Sequence, residues 1–246
     1  CELSLYANEK REQIISCASS RYITGITYDT ILKIIDFDKK YVVIGKPCDI
    51  EALINYTKLD GELKKCIKYT MTFFCAGAPS KNATLKLAEN LGVQADQIDS
   101  VRYRGNGWPG KATVTLKDKS ERHMDYIDSW NQVLGRNIRK MCKFCVNGVG
   151  TYADISCGDL WNLNQNQRPE FTEGKGQNII FARSKAGSDL LTEARDSGYI
   201  YIEDYTKMDD LKYIQPNHFN MQTTMIGKII GLKLCTVCGG GRQFSS

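Results

Sequence analysis

The stretch Arg139-Lys-Met-Cys-Lys-Phe-Cys-Val-Asn-Gly-Val-Gly-Thr-Tyr-Ala-Asp-Ile-Ser-Cys-Gly-Asp-Leu-Trp161 places a two-cysteine hook, Cys142 and Cys145, ahead of a turn and a short apolar strand. A Cys-x-x-Cys pair supplies only half of the four ligands that a tetrahedral zinc ion or a cubane iron–sulfur cluster needs. The sequence therefore predicts that two further ligands come from elsewhere, and that the fold is arranged around this hook.

Two strand–cysteine–helix units upstream offer the missing ligands. The apolar strand 41–45 leads through Cys48 and Asp49 into a predicted helix over 50–56, with Asp49 as its cap. The strand 69–74 ends at Cys75, and a turn leads into a predicted helix over 82–91. Crossovers of this kind join parallel strands, whose carboxyl edge is where α/β proteins bind ligands. The sequence predicts one metal or cluster site with these ligands: Cys48, Cys75, Cys142 and Cys145.

The rest of the chain predicts an α/β protein of mixed α+β type, with an antiparallel layer beside the parallel strand–helix units. Further predicted elements are strands over 98–104, 112–116 and 121–127, a helix over 128–141, a strand over 178–183, a helix over 184–195, a strand over 199–202 and a helical tail from 216. We expect three parts, 1–95, 96–215 and 216–246. Because the chain begins with Cys1 rather than Met, we expect an amino-terminal segment to be missing.

A glycine-rich loop, Arg102-Tyr-Arg-Gly-Asn-Gly-Trp-Pro-Gly110, is the second candidate site. Glycines let main-chain amides approach a ligand closely, arginines pair with phosphate, and a tryptophan can cover a flat ring. The alternative is a long hairpin turn with solvated arginines. The residues alone leave both interpretations open.

Composition excludes several classes of function. The net charge is +5, from 33 basic and 28 acidic residues in a chain of 246, and it is spread along the sequence, which does not indicate nucleic-acid binding. No apolar run approaches the ~20 residues that cross a bilayer. Ten cysteines in clustered spacings suit metal better than disulfides in a chain of this size, so we expect a reducing, cytoplasmic compartment.

The remaining cysteines and histidines are weaker candidates. Cys235 and Cys238 form a second Cys-x-x-Cys pair before glycines, similar to a zinc knuckle. Cys157 is expected to pack within a strand, and a nucleophilic role for it lacks a nearby histidine. His123 and His218 are the only histidines, and the sequence places neither beside another candidate.

Taken in order, these motifs resemble the beta subunit family of coenzyme F420 hydrogenases and dehydrogenases. The resemblance runs from about residue 21 to 203, and its motifs are Ser20-Arg-Tyr22, Gly45-Lys-Pro-Cys-Asp-Ile50, Phe73-Phe-Cys-Ala-Gly-Ala-Pro-Ser80, the glycine-rich loop, the two-cysteine hook, Asp154-Ile-Ser-Cys-Gly-Asp-Leu-Trp161 and Gly174-Lys-Gly176. The family's glycine-rich segment upstream of Arg21 and its ferredoxin-like extension are not found in this sequence.

The resemblance implies an iron–sulfur flavoprotein oxidoreductase. It implies a 4Fe-4S cluster on the four cysteines of the predicted site. It also implies FAD bound by Arg21, Tyr22, Arg104, Gly105, Asn106, Gly107, Trp108, Asp154, Ser156, Gly158, Asp159 and Lys175. Expected partners are an electron donor such as a ferredoxin or a partner subunit, and a deazaflavin or another small-molecule substrate; oligomerisation is left open. The competing hypothesis is a zinc- or cluster-stabilised binding or electron-transfer subunit without flavin.

Overall fold

The structure is a computed structural model that describes residues 10–20, 22 and 28–238 of the chain, with side chains except at 28–30 and 235–238. The candidate residue Arg21 lies outside the described residues. The side chains of the second Cys-x-x-Cys pair, Cys235 and Cys238, lie outside them as well.

Seven strands form two sheets in the described part of the chain. The strands are β1 Tyr41–Gly45, β2 Ile67–Phe73, β3 Ile98–Arg102, β4 Ala112–Leu116, β5 Glu121–Met124, β6 Ile155–Asp159 and β7 Asn178–Ala182. The larger sheet has the order β1-β2-β6-β7, with β1, β2 and β6 parallel and β7 antiparallel to β6. The smaller sheet, β3-β4-β5, is antiparallel. The expected mixed α/β class, with parallel units beside an antiparallel layer, is confirmed.

Helices flank both sheets. They are α1 Arg11–Ser16, α2 Tyr28–Ile34, α3 Pro47–Thr57, α4 Gly61–Cys66, α5 Lys81–Asn90, α6 Tyr126–Asp128, α7 Lys185–Asp196, α8 Leu211–Ile214, α9 Pro216–Thr223 and α10 Met225–Cys238. Three helices begin where the sequence indicates. Helix α3 has a proline at its first position, and α5 and α7 have serine caps.

The core of the smaller sheet lies against α5 and the helical segment after α6. Leu87 and Val133 are fully buried there, together with Ala112 of β4. Burying a side chain of the size of leucine or valine stabilises the fold by roughly 1.5–3 kcal/mol. The antiparallel layer is therefore anchored to helix α5, whose preceding loop follows Cys75.

The register of β1 and β2 decides where their cysteines emerge. Gly45 is paired with Thr72, and the Thr72 hydroxyl donates to the Gly45 carbonyl at 2.8 Å. Cys48 and Cys75 each lie three residues beyond this pair. The two cysteines therefore leave the sheet at the same edge, as the sequence predicts.

Three local expectations differ from the structure. The cap of α3 is Lys46, and Asp49 accepts a hydrogen bond from the Lys46 amide at 3.2 Å. The predicted helix over 128–141 is a π-helix over 129–134 and a 3-10 turn over 135–137, and it ends at Ile138, which is extended and bridges Pro79. The predicted strand over 199–202 is wrong: Tyr199 and Tyr201 are more than four-fifths exposed, and this segment is not paired with any strand of the described residues.

The four-stranded sheet takes strands from both sides of the expected boundary at residue 95. The division into 1–95, 96–215 and 216–246 stays a prediction. Within the described part of the chain, no helix combines the length and apolar character that crossing a membrane requires.

Candidate metal centre and adjoining aromatic site

Cys48 lies in the first turn of α3, where the chain turns from β1 into the helix. Lys46 and Asp49 form an ion pair of 2.6 Å beside it, both largely buried. Burial raises the pKa of the Cys48 thiol, and the Asp49 carboxylate adds to this, while the Lys46 ammonium lowers it. Cys48 is exposed, so the site opens to solvent at this cysteine.

Cys75 follows β2 and is held by its main chain. Its amide donates to the Gly148 carbonyl at 2.8 Å, and the preceding Phe74 amide donates to the Cys157 carbonyl at 2.7 Å. These bonds tie the end of β2 to the loop that follows the two-cysteine hook. The position of Cys75 therefore depends on the segment that carries the two-cysteine hook as well as on its own strand.

The hook itself is a 3-10 turn over Lys140–Phe144, in which the Cys145 amide donates to the Cys142 carbonyl at 3.2 Å. The extended residue Ile138 and its neighbours pair with the loop after Cys75, since the Arg139 amide donates to the Ala78 carbonyl at 3.1 Å. This pairing is the reason why the predicted helix stops early. It carries the hook to the carboxyl edge of the sheet.

The loop after Cys75 is shaped to receive Cys142. Gly77 has φ +120°, and a Cβ at this position would lie 3.3 Å from the Cβ of Cys142. The Ala78 amide donates to the Cys142 sulfur at 3.5 Å. N–H donors directed at cysteine sulfurs are among the contacts that tune iron–sulfur clusters.

Electrostatics connect all four cysteines. Burial raises the pKa of the Cys75 thiol to about 11, hydrogen bonding to the Gly77 backbone opposes this, and the thiolate charges of Cys48, Cys142 and Cys145 raise it further. Burial likewise raises the pKa of Cys145, with a contribution from Cys142. The charges of the other three cysteines thus reach Cys75.

The chemistry of the four cysteines suits a metal centre, because four thiolates can hold either a structural zinc ion or a cubane cluster. Among the described residues, no three histidine, cysteine, aspartate or glutamate side chains are grouped closely enough to hold one metal ion. Four cysteines, without histidine or carboxylate, are the usual ligands of a cubane cluster.

The second candidate site is built around Arg104 and Asp159. The guanidinium donates to both carboxylate oxygens, at 2.8 and 3.0 Å, and the Trp108 indole donates to the same carboxylate at 3.0 Å. Burial lowers the pKa of Arg104, but the bonds to Asp159 outweigh it and raise the pKa. The Trp161 ring stacks on Trp108, with centroids 4.6 Å apart, and Tyr126 lies under the guanidinium at 4.9 Å.

The glycine-rich loop is closed rather than extended. Gly110 packs directly on Gly105, where an added Cβ would meet its main chain at 2.6 Å, and the Gly110 amide donates to Glu173 at 2.8 Å. The exposed residues Asn106 and Gly107, with φ +58° and +151°, form the outer edge of the loop. This edge is the part of the loop that a ligand can approach.

Other predicted flavin-binding residues converge on the same place. Tyr22 packs on Tyr103 and Trp130, at centroid distances of 4.9 and 5.1 Å, and burial raises the pKa of its hydroxyl. Lys175 is exposed, and the next residue, Gly176, lies directly against the Trp108 ring. The structure therefore brings Tyr22, the loop, Asp159 and Lys175 together.

Three predicted residues lie inside the larger sheet instead. The Asp154 carboxylate accepts from the Thr70 amide and hydroxyl at 2.8 and 2.9 Å and from Ser184 at 2.5 Å. Ser156 is fully buried, and Gly158 is covered by the Phe74 ring. These residues hold β6 in place, and their hydrogen-bonding capacity is directed into the fold.

Sequence reasoning missed two kinds of contributor. Tyr126 and Glu173 complete the aromatic site, although no local pattern indicates them. His218 was expected away from the candidates, and this is wrong, because its ring lies beside Phe74 and the main chain of Gly148, next to Cys75. Burial raises the pKa of Cys157, which works against a nucleophilic role for that thiol.

Comparison with known proteins identifies related chains. The family described as the C terminus of the coenzyme F420 hydrogenase/dehydrogenase beta subunit matches residues 38–208. The F420-dependent formate dehydrogenase subunit beta of Methanocaldococcus jannaschii is 25% identical over 191 residues, which are 78% of this chain and 46% of that protein. The F420-dependent formate dehydrogenase 1 subunit beta of Methanococcus maripaludis is 23% identical over 189 residues, 77% of this chain and 46% of that protein.

A solved structure shares the fold. A chain of the F420-reducing [NiFe] hydrogenase complex from Methanosarcina barkeri superposes with a TM-score of 0.63 at 17% identity, covering 96% of this chain and 77% of that one. The chain spans about half the length of the two formate dehydrogenase subunits. The family match covers well over half of the residues of this chain. The chain therefore belongs to the family of coenzyme F420 hydrogenase/dehydrogenase beta subunits, and it matches the C-terminal part of those subunits.

Proposed function

We propose that this chain is part of an iron–sulfur flavoprotein oxidoreductase that passes electrons between a 4Fe-4S cluster and FAD, in order to reduce or oxidise a small cofactor or organic molecule. The observation that supports the proposal is one edge of the larger sheet, where Cys48 and Cys75 follow β1 and β2 and where the two-cysteine hook is tied to the loop after Cys75. When bound, the cluster supplies one-electron transfer and the flavin supplies hydride chemistry.

Cys48, Cys75, Cys142 and Cys145 are the cluster ligands in this proposal. The residues around them prepare the site before any metal binds. The Ala78 amide points at the Cys142 sulfur, and Gly77 leaves room for the hook to approach. Donors that are already in place need no reorganisation when a metal binds.

FAD is assigned to the aromatic site. The half-buried Trp108, which stacks on the buried Trp161, is the aromatic ring of this site that a flat ligand would meet, while exposed Lys175 and the outer edge of the loop at Asn106 and Gly107 would meet its phosphates. Arg21 and Gly105 belong to the proposed set as well. Arg104, Asp154, Ser156, Gly158 and Asp159 contribute by holding this surface in shape.

The names of the relatives support coenzyme F420, a deazaflavin, as the class of small-molecule substrate, and the solved structure that shares the fold is one chain of a hydrogenase complex. We propose a partner subunit or a ferredoxin as the electron-transfer partner. Cys48, the exposed ligand, lies where such a partner can come close to the cluster.

A second candidate function is an electron-transfer subunit that holds the cluster without flavin. One observation favours it: the Asp159 carboxylate accepts hydrogen bonds from both Arg104 and Trp108, so these two side chains are already paired within the fold. Arg104 then stabilises the loop rather than a phosphate. The two candidates predict different behaviour towards FAD.

Anaerobic reconstitution with iron and sulfide, followed by titration with FAD and then reduced coenzyme F420, tests the proposal. It predicts about one FAD per chain and bleaching of the flavin absorbance by the reduced deazaflavin. Trp108→Ala should weaken FAD binding and leave iron unchanged, and Tyr152→Ala, an exposed tyrosine elsewhere on the surface, serves as its control. Iron without FAD binding would select the second candidate.

A further inference from the structure

Helix α9 crosses the loops that carry the cluster cysteines, and it lies beyond the residues that match the family. Just before the helix, the Gln215 side chain donates to the Asp159 carbonyl at 2.6 Å. Near its end, Gln222 donates to the Val146 carbonyl at 3.4 Å, next to Cys145. Helix α9 is therefore fastened on both sides of the candidate metal centre.

His218 points inward from the first turn of this helix. It is 8% exposed, and neither ring nitrogen has a hydrogen-bond partner within the described residues. A buried imidazole carries one N–H donor even when neutral, and leaving it unpaired is costly. A buried polar group without a partner points to a functional contact that this structure does not show.

The surroundings of the ring identify an acceptor. A Cβ at Gly148 would meet both the Cys75 carbonyl oxygen and the His218 Cδ2 at 2.9 Å, so these two atoms face the same point. Burial lowers the pKa of His218, and the nearby Cys75 main chain acts in the opposite direction. The ring also packs on Phe74, with centroids 5.3 Å apart.

We propose that His218 is a positioning residue for the metal centre: its ring N–H donates to the Cys75 carbonyl and thereby fixes the direction in which the Cys75 thiol leaves the main chain. The bond needs only a small adjustment of a ring that is already in place. Because the Cys75 amide is held by Gly148, the peptide groups on both sides of the Cys75 α-carbon are then fixed. This inference rests on the proposed cluster site.

Two substitutions separate this role from packing. His218→Phe keeps an aromatic ring against Phe74 but removes the donor, whereas His218→Gln keeps an N–H donor at the position of the imidazole Nε2 and removes the ring. His123→Asn is the control, since His123 lies on β5 and bonds Thr113 at 3.0 Å, away from the cysteines. Each variant of the whole chain is reconstituted anaerobically with iron and sulfide, and its cooperative thermal unfolding is checked first.

The readouts are the rate at which EDTA bleaches the cluster absorbance and the midpoint potential from a titration followed by electron paramagnetic resonance. For His218→Phe we expect bleaching about tenfold faster and a lower midpoint, by up to about 59 mV for a tenfold change in the one-electron equilibrium. His218→Gln should stay within about threefold of the parent chain. An unchanged His218→Phe variant, or equal changes in both variants, would overturn the inference.

Failure of the proposed function is visible separately, because the parent chain would then bind no iron. In that case amide hydrogen exchange over 74–78 is the readout, since it needs no cluster. About tenfold faster exchange in His218→Phe, with His218→Gln unchanged, supports the positioning of the Cys75 main chain. Any other pattern of exchange rates in the two variants refutes it.

Discussion

Asp159→Asn tests the energetics of the aromatic site. The carboxylate accepts two bonds from Arg104 and one from Trp108, at 2.8–3.0 Å. An asparagine keeps the shape of the aspartate side chain but removes its charge. Its amide NH₂ group then faces the N–H groups of Arg104 and Trp108, so a donor meets a donor. The substitution therefore leaves the guanidinium without a counter-charge in a mostly buried position.

The magnitude follows from the burial of the pair. Removing one partner of a buried ion pair costs about 3–5 kcal/mol. The side chains of Arg104 and Asp159 are 16% and 23% exposed, so water screens part of the charge. We therefore discount the cost to roughly 2–3 kcal/mol. For a chain of this size, that corresponds to a Tm lowered by roughly 4–12 °C.

The assay is thermal unfolding followed by circular dichroism, with Asp189→Asn as the matched control. Asp189 pairs with Lys185 at 2.8 Å on the surface of α7, so its loss should move the Tm by no more than about 2 °C. Adding Arg104→Met to Asp159→Asn should recover most of the lost stability, because no buried charge remains unpaired. Equal shifts in Asp159→Asn and Asp189→Asn would refute the reasoning.

Two more substitutions test the metal centre and the sheet. Cys142→Ser should lower bound iron to well below half of the parent value, measured after anaerobic reconstitution, because ligand binding is coupled to local folding. Cys157→Ala is the control and should keep its iron. Iron retained in Cys142→Ser would remove Cys142 from the ligand set. Ser184→Ala should cost about 1–2 kcal/mol in denaturant unfolding, because Ser184 caps α7 and donates to Asp154. Ser188→Ala, exposed on the same helix, is its control, and an equal loss of stability there would contradict the capping argument.

The common edge at which Cys48 and Cys75 leave the larger sheet was predictable from the sequence, because it depends mostly on local features. Each of Cys48 and Cys75 follows an apolar strand and precedes a helix, and parallel pairing of such units sets the thiols at one edge. The Cys-x-x-Cys spacing of the hook is likewise visible in the sequence. What the pattern could not predict is the end of the helix at Ile138, because the bridge to Pro79 is a tertiary contact that overrides helix propensity.

The aromatic site and His218 were less predictable. Arg104 and Asp159 are 55 residues apart, and nothing in either motif indicates that they pair. His218 is one of two histidines, and only the path of α9 over Gly148 brings it to Cys75. Long-range side-chain pairs of this kind follow from packing, for which the periodicity of one sequence carries no signal.

The most direct test of the central claim is the quantification of iron, acid-labile sulfide and zinc in the chain after anaerobic purification and reconstitution. A 4Fe-4S cluster on Cys48, Cys75, Cys142 and Cys145 predicts about four iron and four sulfide per chain with little zinc. About one zinc per chain, without iron or sulfide, would contradict the cluster and identify the four cysteines as a structural zinc site.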